Sequence, residues 1–296
     1  MKHQSDSLRQ RSKLGGEKGI YMRTLYVTDL DGTLLNKKHR VTQRSANIIN
    51  ELVEKGMMFT YATARSLSSA SVVTKGLAIK IPVITYNGTF ITHPLTNQIL
   101  SSLSFVPEES EEVIHFLEEH SISPLVYAYI NRREQVSWVT SRENQGIKHY
   151  LSLRKQDKRL RPVKNKEELF LGNIFHFTCI GEKEELMPVY QFFSKDDRYH
   201  CIIFQELYRS EYWCEIMPKQ ATKKEAIIKL KDLCGCNKVI SFGDSMNDIP
   251  MFEISDERYA VANAVEELKG LATGVIGSNE EDGVAKWLKE GFYKRQ

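Results

Sequence analysis

Two aspartates that lie one residue apart have the clearest chemical potential in this chain. Asp29 and Asp31 follow the apolar, β-branched run Thr24–Thr28 and precede Gly32, which permits a tight turn. Two carboxylates at a strand end can share a magnesium ion, and they can divide the attack on a phosphoester from the movement of its proton. The pattern therefore predicts phosphatase chemistry, with a surface Asx turn as the structural alternative.

In this interpretation Asp29 is the nucleophile and Asp31 is the general acid. A carboxylate is a weak nucleophile, but a magnesium ion that neutralises the phosphate lets it attack and form an aspartyl-phosphate. Asp31 would protonate the leaving alcohol and then activate water. The backbone N–H groups after the Gly32 turn can cradle the phosphate oxygens.

A second acidic motif, Gly-Asp-Ser-Met-Asn-Asp, occupies residues 243–248. Asp244 would supply another carboxylate to the magnesium ion, with the backbone carbonyl of Asp31 as a third protein ligand. Asp248 lies one helical turn further on, so it is placed to orient Asp244, a water or a lysine. The structural alternative is a capped helix start.

Three further polar residues lie at the ends of predicted elements. Lys223 opens a helix after a strand that ends at Met217, and its charge would balance a transferred phosphoryl group. The Thr63 hydroxyl, helped by the amide of Ala64, can donate to a phosphate oxygen, and Asn87 follows a strand that would place it nearby. Taken singly, they also suit a surface lysine, a capping threonine and a turn.

Four apolar runs end in these polar residues, namely Thr24–Thr28, Met57–Ala62, Pro82–Tyr86 and Lys238–Phe242. Helical periodicity lies between them, in Thr42–Lys55 and Thr222–Leu233. The alternation predicts an α/β fold with a Rossmann-like, doubly wound parallel sheet. Ligands of such sheets bind beyond the carboxyl ends of the strands, where all four polar sets fall.

The middle of the chain has a different pattern, which predicts an inserted α+β cap domain at residues 90–215 between core segments 22–89 and 216–296. Its predicted helices and strands are Pro107–His120, Leu125–Ile130, Gln135–Thr140, Asn144–Lys155, Ile174–Ile180, Lys183–Ser194, Tyr199–Gln205 and Glu211–Met217. The tip of the first predicted hairpin, residues 131–133, is a candidate for contact with the substrate.

Composition limits the class of protein. The 296 residues are 41% hydrophobic and 27% charged with a net charge of +3, which gives no footprint for nucleic acid or a membrane surface. No apolar run approaches the ~18 residues of a membrane span. Five cysteines without metal or redox spacing favour a reducing cytoplasm.

The first 21 residues are polar, basic and without pattern, so we expect a disordered tail. They lack the apolar segment of a secretory signal. Met22 is an alternative natural start, because the codons for residues 15–19 can be purine-rich, as a bacterial ribosome-binding site is.

Taken in order, the motifs resemble those of the haloacid dehalogenase superfamily, and more narrowly those of the Cof-type phosphatases. The resemblance rests on Asp-Leu-Asp-Gly-Thr-Leu-Leu from Asp29, Ala-Thr-Ala-Arg at 62–65, Lys223, the 243–248 motif, and the late stretches 260–264 and 279–285. It extends from Met22 onward. It implies a Rossmann-like core, a cap inserted after the third core strand, and hydrolysis of small phosphorylated metabolites with magnesium.

The resemblance also implies roles by position. They are Asp29 as nucleophile and metal ligand, Asp31 as acid/base with a metal-binding carbonyl, Asp244 as metal ligand, Leu30, Thr63, Ala64, Lys223 and Asn247 as phosphate-binding residues, and Asp248, Arg65 and Asn87 as supporting residues. Two departures stand out: the family usually has glycine at Ala64, and Met-Gly-Asn-Ala where this chain has Val-Ala-Asn-Ala at 261–264. Neither removes a catalytic group.

The sequence as a whole predicts a magnesium-dependent phosphatase whose cap closes over a small phosphorylated metabolite, such as a sugar phosphate or a phosphorylated cofactor. Two alternatives remain open, a phosphotransferase or phosphomutase acting on sugar phosphates and a catalytically idle sensor of a phosphorylated ligand. No nucleic-acid or membrane partner is expected, and the pattern makes no prediction of oligomeric state.

Overall fold

The computed structural model describes residues 23–131, 133–205 and 209–294. The predicted tail, the alternative start at Met22 and Arg132 of the hairpin tip lie outside these ranges. Within them no helix has both the length and the apolar character needed to cross a bilayer.

The described ranges contain fourteen β-strands. They are β1 Thr24–Thr28, β2 Met58–Tyr61, β3 Val83–Thr85, β4 Phe90–Thr92, β5 Ile99–Ser102, β6 Leu125–Ile130, β7 Arg133–Val139, β8 Leu160–Val163, β9 Asn173–Gly181, β10 Tyr199–Gln205, β11 Tyr212–Pro218, β12 Lys238–Gly243, β13 Glu257–Val261 and β14 Gly274–Ile276.

The same ranges contain ten α-helices. They are α1 Gln43–Glu54, α2 Leu67–Val73, α3 Pro107–Glu119, α4 Gln145–Ser152, α5 Lys166–Leu169, α6 Lys183–Phe193, α7 Lys223–Leu233, α8 Ile249–Glu253, α9 Glu266–Leu271 and α10 Gly283–Gly291. Side chains of Thr42 and Thr222 accept hydrogen bonds at the N-termini of α1 and α7, as expected for N-cap threonines. The predicted helix at Asn144–Lys155 ends early, at Ser152.

The core is a parallel sheet in the order β14-β13-β12-β1-β2. Strands β1, β2 and β12 are short and almost wholly buried, because apolar side chains of the helices and the sheet share one cluster. The predicted α/β fold with a parallel core is confirmed. Strands β1 and β12 are neighbours, so their carboxyl ends open at the same edge.

A small antiparallel sheet, β3-β4-β5, continues from the core. A parallel bridge joins Ala62 to Ile84, and Ile91 of β4 lies in the same apolar cluster as the core strands. Strand β11 at the other junction pairs within the cap sheet as far as Pro218. We therefore propose domain boundaries near residues 103 and 219, whereas the sequence pattern predicts 90 and 216.

The cap contains a six-stranded sheet in the order β10-β11-β9-β6-β7-β8, which is antiparallel except where β7 pairs with β8. Strands β6 and β7 form the predicted hairpin. Helices α3 and α6 contribute apolar side chains to a cluster with one face of this sheet. The inserted segment thus combines strands and helices, as its predicted α+β pattern requires.

Candidate active site

Adjacent strands bring the two acidic motifs together. Thr28 of β1 pairs with Phe242 of β12, and the N–H of Asp29 donates to the Phe242 carbonyl at 2.9 Å. Asp29 and Asp244 therefore leave the sheet side by side. Carboxylate oxygens of Asp29, Asp244 and Asp248 lie within 4.8 Å of one another.

The turn after Asp29 is shaped around Asp244. Gly32 has a φ of +79°, and a Cβ atom there would lie 2.3 Å from Asp244 Oδ2, so a larger residue would both strain the backbone and displace the carboxylate. The Thr33 hydroxyl donates to Asp244 Oδ1 at 2.8 Å. Thr33 belongs to the Asp-x-Asp-Gly-Thr motif, but its role in holding Asp244 could not be predicted from the sequence.

Lys223 lies between two of the three carboxylates. Its Nζ atom donates to Asp29 Oδ1 and to Asp248 Oδ1, each at 2.6 Å, and its side chain is 1% exposed. A surface position for this lysine is therefore excluded. The start of α7 is held close by Gly88, whose φ is +116° and whose Cβ would lie 2.1 Å from the Thr222 carbonyl oxygen.

Asp248 is fully engaged by protein groups. While Oδ1 accepts from Lys223, Oδ2 accepts the N–H groups of Asp244 and Ser245 at 2.9 and 3.1 Å. The carboxylate therefore fixes both the lysine and the backbone that carries Asp244. These contacts support the orienting role predicted from its spacing.

The charges of the cluster do not cancel, since three carboxylates surround one ammonium group. Burial, followed by the charge of Asp248, raises the pKa of Asp244 to about 6. Burial also raises the pKa of Asp29, which Lys223 offsets only in part. Although burial alone would lower the pKa of Lys223, the charges of Asp248 and Asp29 raise it above its ordinary value. The excess negative charge therefore favours the binding of another cation at this site.

The Asp31 carboxylate points to a different partner. Arg65 donates to it through Nε at 2.7 Å and Nη2 at 2.6 Å, and through Nη1 to Ser69 at 2.9 Å. Burial opposes ionisation of Asp31, but the hydrogen bonds and charge of Arg65 hold its pKa below the ordinary value. In this arrangement Asp31 is held in its ionised form.

The predicted phosphate-binding residues after β2 adjoin Asn87, the predicted supporting residue after β3. The Asn87 N–H donates to the Thr63 carbonyl at 2.9 Å, and Thr63 is buried with its Oγ1 accepting the Arg65 N–H at 3.2 Å. Ala64 is exposed. The Asn87 Oδ1 atom is buried without a hydrogen-bond partner among the described residues.

The two other predicted phosphate-binding residues differ in exposure. Asn247 is exposed and accepts a hydrogen bond from Ser245 Oγ at 2.6 Å. The side chain of Leu30 is buried in the core, and its carbonyl accepts the Leu35 N–H, so only its N–H is left to face a ligand. The roles of both residues stay predictions.

A late loop supports the catalytic turn. Asn263 donates from Nδ2 to the Gly32 carbonyl at 2.7 Å and accepts the Asn279 N–H at 3.0 Å, while Asn279 Nδ2 donates to the Leu35 carbonyl at 2.9 Å. In the sequence these asparagines were only part of the resemblance. Their contacts explain why the stretches near 263 and 279 accompany the aspartate motifs.

A cleft of about 300 Å³ lies between the core and the cap. The residues that line it are Asp31, Ala64, Arg65, Ser66, Ser69 and Tyr86 on the core side, and Tyr127, Tyr150, Arg154, Arg159, His176, Trp213 and Glu215 on the cap side. Asn131 and Arg133 of the hairpin tip are not among them. The sequence contained no local signal for the cap-side set, whose members come from separate strands, a helix and a loop.

The donor set fits magnesium, which prefers hard oxygen ligands and takes few protein carboxylates. Clustered, partly buried carboxylates with excess negative charge, beside a cleft, can hold such an ion and a phosphate together. The Asp29 carboxylate is available as a nucleophile once its charge is compensated.

Comparison with known proteins supports this interpretation. The profile of the haloacid dehalogenase-like hydrolases matches residues 26–288. A 5-amino-6-(5-phospho-D-ribitylamino)uracil phosphatase of Bacillus subtilis is 27% identical over 293 residues, covering 88% of this chain and 96% of that protein. An HMP-PP phosphatase of Serratia proteamaculans is 29% identical, covering 90% of this chain and 95% of its own.

Solved structures have a similar fold. The crystal structure of a Thermotoga maritima protein has a TM-score of 0.74 and 26% identity, and the match covers 91% of this chain and 97% of that one. Sequence profile, relatives and structure thus match nearly the full length of the described core and cap. The chain belongs to the haloacid dehalogenase-like hydrolases.

Proposed function

We propose that this protein is a magnesium-dependent phosphomonoesterase that acts on a small phosphorylated metabolite. The observation that carries the proposal is the cluster of Asp29, Asp244 and Asp248 around Lys223, beside a cleft that Asp31 and residues of the cap line. Relatives along nearly the whole chain are named phosphatases of small phosphorylated compounds, which supports the same reaction here.

Magnesium would be held by the carboxylates of Asp29 and Asp244 and by the Asp31 carbonyl. When bound, the ion neutralises phosphate charge and so permits an anionic nucleophile to approach. Asp248 and Thr33 keep Asp244 in place through the contacts described above.

Asp29 attacks phosphorus, the ester P–O bond breaks, and the leaving oxygen takes a proton from Asp31. Water then attacks the aspartyl-phosphate, with Asp31 accepting its proton, and inorganic phosphate is released. Because Arg65 favours the ionised form of Asp31, this pair must separate and Asp31 must take up a proton from water before it donates to the leaving oxygen. The phosphate group of the substrate would compete with the Asp31 carboxylate for the Arg65 guanidinium.

The phosphate would be bound by Lys223, the Thr63 hydroxyl, the amides of Leu30 and Ala64, and Asn247. Lys223 already contacts the nucleophile, so it places a positive charge where the negative charge of the transferred group develops.

Purified protein is expected to release inorganic phosphate from p-nitrophenyl phosphate in the presence of magnesium, and chelation with EDTA is expected to abolish the release. The physical reason is that the excess negative charge of the cluster repels a phosphate dianion until a cation is bound. Phosphate is measured with and without EDTA, and magnesium is then restored in excess. Activity that is unaffected by EDTA would contradict the proposal.

Magnesium affinity is expected to fall at acidic pH. Since the pKa of Asp244 is raised to about 6, this ligand must lose a proton before it binds the ion below that pH. The dissociation constant for magnesium should rise by up to about tenfold for each pH unit below 6.

The same ionisation affects stability. In metal-free protein, ionisation of Asp244 lowers the free energy of unfolding as pH rises from about 4 to about 6. Added magnesium should therefore raise the free energy of unfolding most at neutral pH.

Calorimetric titration of magnesium at about pH 5 and about pH 7 checks this expectation. The variant Asp244→Asn, which cannot titrate at this position, should bind weakly and with a smaller pH dependence. Equal wild-type affinities at the two pH values would contradict it.

A further inference from the structure

The cap sheet presents two chemically different faces. Strand alternation directs Val126, Phe177 and Cys214 to one face, where they pack with α3 and α6. Tyr127 pairs with His176 and Glu215 pairs with Thr178, so these residues alternate with the packed ones and project from the opposite face. That opposite face forms the cap side of the cleft.

One buried side chain on the cleft face, that of His176, lacks hydrogen-bond partners. His176 is 5% exposed, and in the described part of the chain neither of its ring nitrogens has a hydrogen-bond partner. The nearest charged group is Glu215, with Oε1 at 3.7 Å from Nε2, which is too long for a hydrogen bond. Burying the ring nitrogens of His176 without hydrogen bonds is costly, so their position at the cleft indicates a ligand that completes them.

Aromatic rings surround His176 and Glu215. Tyr127 and Tyr150 use their hydroxyls on each other, 3.0 Å apart, and therefore offer ring surface to the cleft. Trp213 lies 5.7 Å from Tyr150 between ring centroids, and the Arg154 guanidinium stacks on the Tyr150 ring at 3.9 Å. The cap side of the cleft therefore offers aromatic ring surface beside its polar groups.

In the described part of the cap, both guanidinium groups that line the cleft already have protein partners. Arg159, the most buried guanidinium of the cleft, is already paired with Asp157 at 2.5 Å and with Glu134. Arg154 is engaged by the Tyr150 ring and carbonyl, the latter at 3.2 Å. The part of the substrate that reaches the cap therefore does not need to be anionic.

We propose that the organic part of the substrate is a planar, nitrogen-containing ring with hydrogen-bond donors and acceptors along one edge. The ring stacks on Tyr150 and Trp213, and its polar edge meets His176 and Glu215. Glu215 accepts an N–H or O–H of the ring, and His176 supplies either a donor or an acceptor. This inference rests on the proposed phosphatase function and names its substrate class.

A flexible polyol is the alternative for the organic part of the substrate, and it fits the cleft less well. A polyol loses more conformational freedom on binding, and it has no flat apolar face to match the rings of Tyr150 and Trp213. At about 300 Å³ the cleft is at the small end for ligand sites, which suits a single compact ring system.

The test compares phosphate release from pyridoxine 5′-phosphate and uridine 5′-monophosphate with release from ribitol 5-phosphate. All three are primary phosphate monoesters of equal charge. At least one ring ester is expected to have a kcat/KM at least about tenfold above that of ribitol 5-phosphate. If neither ring ester exceeds the polyol ester, the inference is overturned.

Variants test the assigned residues. Glu215→Gln and Trp213→Leu are each expected to reduce the ring-to-polyol ratio of kcat/KM by about tenfold. A purely structural role would lower both values together and leave the ratio unchanged, which would overturn the assignment. Glu182→Gln, an exposed cap carboxylate at the start of α6, is the matched control and should keep the wild-type ratio.

Binding separates failure of this inference from failure of the proposed function. Calorimetry with Asp29→Asn measures the affinity for each ester without turnover. Tighter binding of a ring ester by protein that hydrolyses none of the esters would support the inference and reject the phosphatase. Hydrolysis of all three esters without preference would support the phosphatase and reject the inference.

Discussion

Replacing Asp29 with asparagine is expected to lower kcat for phosphate release by about 10³-fold or more. An amide oxygen is a far poorer nucleophile than a carboxylate, and the change also removes one negative ligand of the proposed magnesium site. Steady-state phosphate release measures the loss. Acid quenching of wild-type protein with labelled substrate should trap a phosphoenzyme that Asp29→Asn does not form.

The fold should survive this substitution. Asparagine has nearly the same volume, and Lys223 keeps Asp248 as a partner at 2.6 Å. Because the cluster contains more carboxylates than cations, losing one of them relieves repulsion in the metal-free protein. The control is Asp197→Asn, at a fully exposed carboxylate paired with Lys219. Activity of Asp29→Asn within about tenfold of this control would contradict the assignment of Asp29 as nucleophile.

Replacing Lys223 with methionine is expected to destabilise the protein by about 3–5 kcal/mol, because it leaves Asp29 and Asp248 buried without their cation. The raised pKa of Lys223 keeps it charged at neutral pH, so its full contribution is present there. Activity should also fall by about 10²-fold or more, since the charge beside the transferred phosphoryl group is lost. Urea unfolding and phosphate release measure the two effects.

The neighbouring lysine provides a matched control. Lys224 is partly exposed and pairs with Glu253 at 3.0 Å on the surface, so Lys224→Met should cost less than about 1 kcal/mol. Adding Asp248→Asn to Lys223→Met should recover part of the stability but not the activity, because one buried charge is removed while the phosphate still lacks its lysine. Equal urea midpoints for Lys223→Met and Lys224→Met would refute the buried-cluster interpretation.

Much of the core was predictable because its signals are local. The run Thr24–Thr28 is confirmed as a strand with the same bounds, and Lys238–Phe242 differs by one residue. Buried parallel strands are nearly uniform in apolar character, and a polar residue that follows one must lie at its carboxyl end. The approximate arrangement of Asp29, Asp244 and Lys223 follows from these rules.

Short and exposed strands were harder to predict. Strand β5 is largely exposed, and β14 has three residues, so neither has an apolar run that distinguishes it from a loop. Pairing of β4 with β3, and of β5 with β4, places residues 90–102 beside the core, which no local pattern indicated. Their pairing is decided by neighbours elsewhere in the chain.

By itself, the sequence determined the α/β class, the family, and which residue types stand at the strand ends. The tertiary structure decided which contacts they make. Lys223 bridges Asp29 and Asp248. Arg65 donates hydrogen bonds to Asp31, and Thr33 donates one to Asp244. It also decided which face of the cap sheet meets the core. Alternation along a strand separates two faces, but only helices packing on one of them leave the other, with His176 and Glu215, to form a cleft.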